Sequence, residues 1–536
     1  MSDLSPISPE TPRQPAAQPW RRLDLAVWFV ALAAGFLNLL NYHLYPLLRP
    51  EVGLVLLGLA AVAWLMSALR KAAGPRLGFA LSALFVAIVI DLSTSIDLQW
   101  FYALWAGLAL IAWFAETALL KLTLAAFGSV FLFQFVALTT GIGAPPRPAN
   151  YAKSLQDPTR PTTNRPAIVH LVLDSYLGLD SMALGPEHYR TLRAEQVAFF
   201  TGRGFQVYPR AYSRHVKTVN SLPEMLSFGE QPRATSNRNL QYAIAEELPY
   251  FTELDARGYR TSAVLPTFLD LCVNQPLTHC RKFERSALTS MLETDLSAAD
   301  RATVMGFTLL QLAALPGQAA EQLQLRANQW FGTEGRRPYN RTKLLPLASL
   351  GELDRFADDL ATLRPGEARF LHVLLPHDPY IFDARCTVLA EADWLDEHGP
   401  GTPEARERAY ADQVRCLQSR LARLLDRLDR TAAGREAIVI VHGDHGSRIS
   451  PIAPFLGGPE LTEREMLMSH STLFAIRVPG EAGAQVPGTF ALDELMADFR
   501  ARDFAAAPRP QPTVPRILMM DPYWVPTEWR KLPDFD

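Results

Sequence analysis

Long apolar runs in the first quarter of the chain constrain its fold more than any other feature. They lie at about 25–48, 52–69, 76–92, 98–115 and 122–143 and contain few charged side chains. A bilayer core of about 30 Å needs roughly 20 apolar residues in a helix. Five neighbouring runs of this kind argue against core helices of a soluble protein, and a cleaved signal peptide would give one short run. The sequence therefore predicts a transmembrane bundle of five helices over residues 23–143.

Basic residues are distributed unevenly between the loops that join these runs. Three arginines precede the first run, three basic residues lie between the second and third, and Lys121 lies between the fourth and fifth. The loops on the other side hold only Arg49. The positive-inside rule then makes the N-terminal tail 1–22 cytoplasmic. Five crossings place everything after the fifth run outside the cytoplasm.

The rest of the chain has the composition of a soluble domain. The whole chain has 52 Lys+Arg and 55 Asp+Glu, for a net charge of −3, so it lacks the basic excess of a nucleic-acid-binding protein. Residues 144–166 are rich in proline and are interpreted as a linker, which leaves 167–536 as one extracytoplasmic domain.

All four cysteines lie in this extracytoplasmic part. An even number of cysteines in an exported domain predicts two disulfides, Cys272–Cys280 and Cys386–Cys416. The alternative is four buried free thiols.

Strand-like runs alternate with helical stretches in this domain. The strand-like runs are apolar and lie at 167–173, 261–265, 370–375, 437–442 and 472–478. Helical periodicity occurs at about 186–204, 244–257, 350–363 and 402–430. Continuous apolar runs are typical of strands buried on both faces. The alternation therefore predicts an α/β domain with a mainly parallel central sheet.

Polar side chains that bind metals occur beside several of these strands. Asp174 follows the first run, His377 follows the third, Asp444 and His445 follow the fourth, and His470 precedes the fifth. Ligands of open parallel sheets gather at the carboxyl ends of the strands. Aspartate oxygen together with histidine nitrogen suits Zn²⁺ or Mn²⁺ better than Ca²⁺ or Mg²⁺. Each residue alone is also explained by a helix cap or a polar turn, whereas the set as a whole predicts a metal site.

A threonine ahead of a short helix is the candidate nucleophile. Ser221 with Glu224 three residues later has the pattern of a capping box, and Pro223 suits the first helical turn. Thr218 is therefore expected just before the helix, where free N–H groups and the helix dipole favour a phosphoryl anion. A threonine hydroxyl needs a metal or a base before it can attack. The alternative role of Thr218 is a cap residue of a surface helix.

The motifs resemble those of the alkaline phosphatase/sulfatase superfamily. An LVLDS strand end, a PHDPY turn and a GDHG turn occur in that order. Membrane helices ahead of such a domain are similar to those of the phosphoethanolamine transferases and the lipoteichoic acid synthases. The first family carries a threonine, two residues and then Ser-x-Pro, which Thr218, Ser221 and Pro223 match. The second carries Lys-Thr-x-Asp-Ser, which Lys217 and Thr218 match, with Asn220 in place of the acid.

The sequence also departs from these families. Both transferase families usually carry glutamate where Asp174 stands. Sulfatases need Cys or Ser, then x-Pro-x-Arg, but Ser221-Leu-Pro-Glu-Met lacks the arginine and no cysteine stands there for conversion. The missing arginine and cysteine count against sulfate-ester hydrolysis. The aspartate at position 174 counts the other way, because it is more typical of sulfatases and other phosphatases of the superfamily.

The resemblance implies a role for each candidate site residue. The metal, Zn²⁺ or Mn²⁺, would be bound by Asp174, Thr218, Asp444 and His445, with Thr218 as the attacking group. His377 and His470 would bind phosphoryl oxygens or a second metal, or act as acid and base on the leaving group. Lys217, Asn220 and Arg448 would position substrate charge.

The resemblance further implies a reaction and a location. A phospholipid, phosphatidylethanolamine first and phosphatidylglycerol second, would give its head group to Thr218, and a glycan or lipid of the envelope would then accept it. The chain would be a multi-pass protein of the bacterial inner membrane with its catalytic domain in the periplasm. The alternatives are a membrane-anchored phosphatase, phosphodiesterase or sulfatase, and a non-catalytic sulfatase-like protein of envelope assembly.

Overall fold

The computed structural model describes residues 23–94, 98–140, 162–230, 234–236, 243–245, 247–283, 288–294, 296–310, 344–389, 393–397, 401–449, 461–520 and 526–535. The chain divides into a helical unit, Met1–Pro145 with Arg301–Leu323, and an α/β unit, Pro146–Asp300 with Gln324–Asp536. The predicted tail 1–22 and most of the predicted linker 144–166 lie outside the described residues.

Three long helices build the helical unit: α1 (Leu23–Tyr42), α2 (Pro50–Thr94) and α3 (Leu98–Thr140). Non-helical backbone angles at Gly74 and Ala115 interrupt α2 and α3. At 1.5 Å per residue, α2 and α3 would otherwise each measure roughly twice the bilayer core of about 30 Å, whereas α1 measures about one such thickness. The resulting five segments correspond to the five predicted runs.

Among the residues that the structure describes, three helices are long and apolar enough to cross a membrane. They are Asp24–Tyr42, Pro50–Gly74 and Gln99–Thr140, and Leu77–Asp91 is a shorter apolar helix. The apolar N-terminal helices are therefore confirmed, whereas five crossings stay a prediction.

Several polar side chains within the helical unit are paired with one another. Arg70 contacts Asp24 at 2.5 Å and Glu116 at 2.9 Å. Near the other end of α1, Gln134 of α3 accepts a hydrogen bond from Asn41 at 2.6 Å. Pairing of this kind is expected because an unpaired charge is costly in an apolar environment.

An eight-stranded sheet forms the centre of the α/β unit. The strands of the unit, in chain order, are β1 Ile168–Leu173, β2 Gln206–Val207, β3 Arg210–Tyr212, β4 Ala234–Ser236, β5 Ala243–Ala245, β6 Arg260–Pro266, β7 Leu269–Asp270, β8 His279–Phe283, β9 Glu367–Val373, β10 Ile438–Gly443, β11 Phe474–Arg477, β12 Ala484–Gln485, β13 Thr489–Ala491, β14 Arg516–Met520 and β15 Pro526–Lys531. The order in the large sheet is β12-β2-β11-β10-β1-β9-β6-β8. Strands β10, β1, β9, β6 and β8 run parallel, while β11 is antiparallel to both of its neighbours. The predicted mainly parallel sheet is thus confirmed.

The remaining helices are α4 Leu179–Ala183, α5 Glu187–Gly202, α6 Thr218–Leu226, α7 Pro249–Ala256, α8 Ala298–Leu310, α9 Leu345–Asp359, α10 Pro403–Leu428, α11 Ala432–Arg435, α12 Glu463–His470 and α13 Leu492–Ala501. The four predicted helical stretches correspond to α5, α7, α9 and α10. The stretch predicted from residue 244 begins only at Pro249, because proline suits the first helical turn.

The centre of the sheet is buried on both faces. Every residue of β1 and of β10 is buried, as their continuous apolar sequences predict. The leucines of α10 from Leu417 to Leu428 are buried as well. Both predicted disulfides, Cys272–Cys280 and Cys386–Cys416, are confirmed. This rigid centre holds the strand ends at which the candidate residues lie.

Candidate metal centre and active site

Two aspartates directly follow the ends of neighbouring parallel strands. Asp174 follows β1 and Asp444 follows β10, and the parallel register pairs Leu173 with Gly443. The Asp174 N–H donates to the Val373 carbonyl of β9 at 3.0 Å. Adjacent parallel strands that end at one level therefore bring both carboxylates to the same edge of the sheet.

Three buried acceptor groups face one another at this edge. Ligand atoms of Asp174, Asp444 and His445 all lie within 4.8 Å of one another, and each residue is at most 1% exposed. His445 Nδ1 donates to the Gly446 carbonyl at 2.8 Å, so its Nε2 carries the lone pair in the neutral ring. That Nε2 lies 3.4 Å from Asp444 Oδ2 and 3.8 Å from Asp174 Oδ1.

A cation would stabilise this group of buried acceptors. Asp444 Oδ2 accepts no hydrogen bond within the part of the chain that the structure describes. A buried carboxylate oxygen facing an imidazole lone pair is unfavourable unless a cation or a proton lies between them. Burial alone would raise the pKa of Asp174, but the nearby imidazole of His377 and a contact with His372 outweigh it and hold that pKa below its usual value. The site therefore keeps Asp174 ionised, which is the form that binds a metal.

The hydroxyl of Thr218 joins the same group. Its Oγ1 donates to Asp174 Oδ2 at 3.3 Å. Zinc binds oxygen and nitrogen at about 2.0–2.2 Å, so ligand atoms of a tetrahedral site lie roughly 3.3–3.6 Å apart. The Thr218–Asp174 and His445–Asp444 distances of 3.3 and 3.4 Å match this spacing, and the His445–Asp174 distance of 3.8 Å is slightly longer. Asp174, Asp444 and His445 suit Zn²⁺ or Mn²⁺ in ligand type, and Thr218 lies beside them.

Helix α6 presents Thr218, but not in the predicted way. The helix begins at Thr218 with Lys217 as its N-cap residue, and Ser221 lies inside it. The predicted capping box of Ser221 and Glu224 is therefore wrong. Glu224 lies 3.3 Å from the imidazole of His215 instead, and the Ser221 hydroxyl has no hydrogen-bond partner among the described residues. Thr218 thus occupies the first helical position, where N–H groups lack intrahelical partners.

The glycines of the GDHG turn allow close backbone packing. A Cβ atom on Gly443 would lie 2.9 Å from the Tyr176 carbonyl oxygen, and one on Gly446 would overlap the Met468 and Ser471 carbonyls. Both glycines are needed because protein backbone lies against them. The packing fixes Asp444 and His445 between two rigid segments.

A cavity of about 270 Å³ opens beside the metal group. It is lined by Asp174, Lys217, Thr218, Val219, Phe268, Leu345, Leu374, His377, Asp378, His445 and Arg448. Burial, with the charge of Arg448 nearby, lowers the pKa of Lys217 from 10.5 to about 7. The lining contains the cationic side chains of Lys217 and Arg448 together with apolar side chains, which suits an anionic group attached to an apolar or neutral one.

His377 and Arg448 form one network at the cavity. His377 Nδ1 lies 2.9 Å from Asp378 Oδ1, and its Nε2 lies 3.3 Å from the guanidinium of Arg448. The backbone N–H of Arg448 donates to Glu397 at 2.6 Å, and its Nε donates to the same carboxylate at 3.2 Å. Burial opposes protonation of His377, but the carboxylates of Asp378 and Asp174 raise its pKa above the usual value.

Helix α10 holds the turn that carries His377. The Nε2 of Gln413 lies 3.1–3.3 Å from the carbonyls of Pro376, His377 and Pro379, and its Oε1 accepts from the Ile381 N–H at 2.9 Å. The Cys386–Cys416 disulfide joins the following loop to the same helix. One buried carboxamide and one covalent bond therefore fix the turn.

The structure does not bring two of the predicted residues to the cavity. His470 is buried and donates from Nδ1 to the Met466 carbonyl at 3.0 Å, and burial lowers its pKa to about 4. Asn220 is half-buried on α6. Neither residue lines the cavity, and their substrate roles stay predictions.

Two residues near the site were missed by the sequence analysis. His372 is fully buried in β9 and its Nε2 lies 3.6 Å from Asp174 Oδ2. In the sequence, only its position as a histidine inside an apolar strand could have indicated that His372 lies near the site. Glu397, the partner of Arg448, lies outside any helix or long strand, so no pattern in the sequence indicated this contact.

The chain is similar to several solved structures, but no protein-family model matches it and no curated protein matches its sequence. One is the zinc complex of the C-terminal periplasmic domain of EcEptC from Escherichia coli, with 12% identity, 71% of this chain and 97% of that chain covered, and a TM-score of 0.39. A protein in the alkaline phosphatase superfamily from Vibrio parahaemolyticus has 13% identity, coverage of 69% and 78%, and a TM-score of 0.37. The phosphonate monoester hydrolase of Agrobacterium radiobacter has 14% identity, coverage of 64% and 74%, and a TM-score of 0.36. All three TM-scores are below 0.5, so the function is inferred from the geometry of the site. The superfamily named for the Vibrio structure is the one that the sequence motifs resemble.

Proposed function

We propose that this chain is a membrane-anchored, metal-dependent enzyme that transfers a phospholipid head group to an envelope glycan or lipid. Phosphoethanolamine is the first candidate for the transferred group and phosphoglycerol is the second. The proposal places residues 167–536 on the extracytoplasmic side of the bacterial inner membrane.

One observation carries the proposal. The Thr218 hydroxyl lies 3.3 Å from Asp174 in a buried group of acceptors that fits Zn²⁺ or Mn²⁺. A divalent ion bound there would lower the pKa of the hydroxyl and stabilise the charge that develops on transfer. A threonine without such activation is a poor nucleophile.

The reaction is proposed to run in two displacements. Thr218 Oγ1 forms a bond to the donor phosphorus, the bond from phosphorus to diacylglycerol breaks, and the diacylglycerol oxygen gains a proton. An acceptor hydroxyl or phosphate then displaces Thr218 from the phosphorus. Lys217, His377 and Arg448 line the cavity beside Thr218 and would hold the phosphoryl oxygens, and His377 would move the protons.

Mass spectrometry of the intact protein tests this function. Protein incubated with phosphatidylethanolamine or phosphatidylglycerol should gain the mass of the head-group phosphate on the peptide that contains Thr218. Thr218→Ala should lose the adduct and reduce transfer by about a thousandfold or more. Thr218→Ser, which keeps a hydroxyl, should still form some adduct and retain part of the transfer activity.

The same experiment separates the competing functions. Release of free phosphoethanolamine or phosphoglycerol without any transfer would favour a hydrolase. Absence of bound metal and of any adduct would favour a non-catalytic protein. Full transfer by Thr218→Ala would refute the assignment of the nucleophile.

A further inference from the structure

An apolar groove of about 500 Å³ lies among the three long helices of the helical unit. It is lined by Phe29 and Leu37 of α1, Val52 and Leu56 of α2, and Phe131 and Phe135 of α3. This volume falls within the range of small-molecule sites, roughly 300–1,000 Å³. Its lining suits a hydrocarbon chain.

A charged side chain, Arg49, lines the same groove. Arg49 directly precedes α2 and is exposed, beside Leu48, which is 97% exposed. Its side chain makes no hydrogen bond or ion pair with any of the residues that the structure describes. The groove thus combines an apolar lining with a free guanidinium.

The neighbouring acid does not neutralise Arg49. Glu51 is fully buried, accepts a hydrogen bond from the Tyr45 hydroxyl at 2.5 Å, and lies 3.4 Å from the guanidinium of Arg301 in the same unit. Its charge is therefore already matched, and the positive charge of Arg49 is left for an external anion.

The position of Arg49 in the chain indicates where that anion comes from. Arg49 lies in the loop between α1 and α2, on the side that the distribution of basic residues places outside the cytoplasm. Arginine binds phosphate oxygens with two parallel hydrogen bonds. A lipid in the outer leaflet offers a phosphate at that depth and a hydrocarbon chain below it.

We propose that this groove binds an acyl chain of a glycerophospholipid, with the lipid phosphate at Arg49. The proposal concerns binding by the helical unit. It goes beyond the transfer reaction and does not depend on Thr218.

A matched pair of glycines in α2 allows a sharp test. Gly53 lines the groove, and Gly58 does not. A Cβ atom added at either position would meet no atom within 4 Å, so Gly53→Leu should fill the groove without disturbing the backbone. Gly58→Leu adds the same side chain to the same helix and serves as the control.

Native mass spectrometry of the full-length protein in detergent provides the measurement. The probes are phosphatidylglycerol and diacylglycerol with identical acyl chains. The wild type and Gly58→Leu should retain phosphatidylglycerol in preference to diacylglycerol, and Gly53→Leu should retain neither. Arg49→Gln should lower retention of phosphatidylglycerol by about tenfold, towards that of diacylglycerol.

Specific results would overturn the proposal. Retention by Gly53→Leu that equals the wild type would exclude the groove as the site. Loss in Gly58→Leu to the same extent as in Gly53→Leu would show that retention does not depend on the groove. An unchanged preference in Arg49→Gln would exclude phosphate recognition by Arg49.

Discussion

Asp444 has opposite effects on stability with and without metal. Its Oδ2 lacks a hydrogen bond among the described residues and faces an imidazole lone pair, while its Oδ1 accepts from the N–H groups of Ser175 and His445. Asp444→Asn keeps one carbonyl oxygen for those N–H groups and removes the negative charge. Without metal we therefore expect the variant to be more stable than the wild type by about 1–2 kcal/mol.

In the presence of zinc, the wild type should instead be more stable than Asp444→Asn. The free energy of unfolding of the wild type should rise by about 2.7 kcal/mol when zinc is present at 100 times its Kd. Asp444→Asn should gain little because it has lost a ligand. Thermal unfolding with and without zinc, together with metal analysis, measures both effects. Equal stabilisation of the two proteins by zinc would contradict the metal assignment.

Lys217 should titrate near neutral pH. Burial and the positive charge of Arg448 lower its pKa to about 7, so the amine becomes neutral and reactive above that pH. In metal-free protein, the pH dependence of labelling by an amine-reactive reagent, followed on the peptide that contains Lys217, should have its midpoint near 7. Arg448→Gln should raise the midpoint, because it removes a cation and frees the carboxylate of Glu397. A wild-type midpoint near 10 would contradict the prediction.

The topology of the sheet explains part of the predicted site, and the resemblance to known families indicated Lys217, Thr218 and Arg448, which also line the cavity. Asp174, Asp444 and His445 directly follow buried strands, so the topology of a parallel sheet brings them together. Glu397 reaches Arg448 from an irregular segment, and no local pattern predicts such a contact. His470 was predicted from its place beside a strand, but its Nδ1 bonds to the preceding turn of its own helix.

Among the elements, α10 should affect catalysis through one side chain. Gln413 contacts three carbonyls and one N–H of the turn that carries His377. Gln413→Ala would leave these groups unpaired, so we expect a loss of about 2 kcal/mol in the free energy of unfolding. Misplacement of His377 should lower the transfer rate by roughly ten- to a hundredfold.

Metal content distinguishes this effect from general damage. The proposed metal ligands follow β1 and β10 or begin α6, so Gln413→Ala should bind as much metal as the wild type. Gln418→Ala is the matched control, because Gln418 lies on the same helix but accepts its hydrogen bond from Gln196. A similar loss of activity in both variants would argue against a positioning role for Gln413.

Long elements were predicted better than short ones, for a physical reason. Continuous apolar runs predicted β1, β6, β9, β10 and β11, whereas β2 and β12 have two residues each and no detectable periodicity. The start of α6 was misplaced because Ser221 and Glu224 have the local pattern of a cap. Glu224 lies beside His215 instead, a tertiary contact that the local pattern does not encode.

At the scale of the whole molecule, the number of crossings does not decide the side of the α/β unit. The helical unit has three long helices, and five segments when the breaks at Gly74 and Ala115 are counted. Both numbers are odd, so either arrangement places the α/β unit opposite the N-terminus. They differ at the beginning of α3. It lies outside after three crossings in the five-crossing arrangement, and inside after two crossings in the three-crossing arrangement.

Single cysteines distinguish the two arrangements. All four native cysteines are in disulfides, so a thiol reagent should report only introduced ones. With five crossings, a membrane-impermeant reagent applied to spheroplasts should label Leu48→Cys and Gln99→Cys. Ala72→Cys, near the break at Gly74, should react only after permeabilisation. Labelling of Leu48→Cys without labelling of Gln99→Cys would favour three crossings. In that arrangement the apolar helix Leu77–Asp91 does not cross the membrane, so the beginning of α3 stays on the cytoplasmic side.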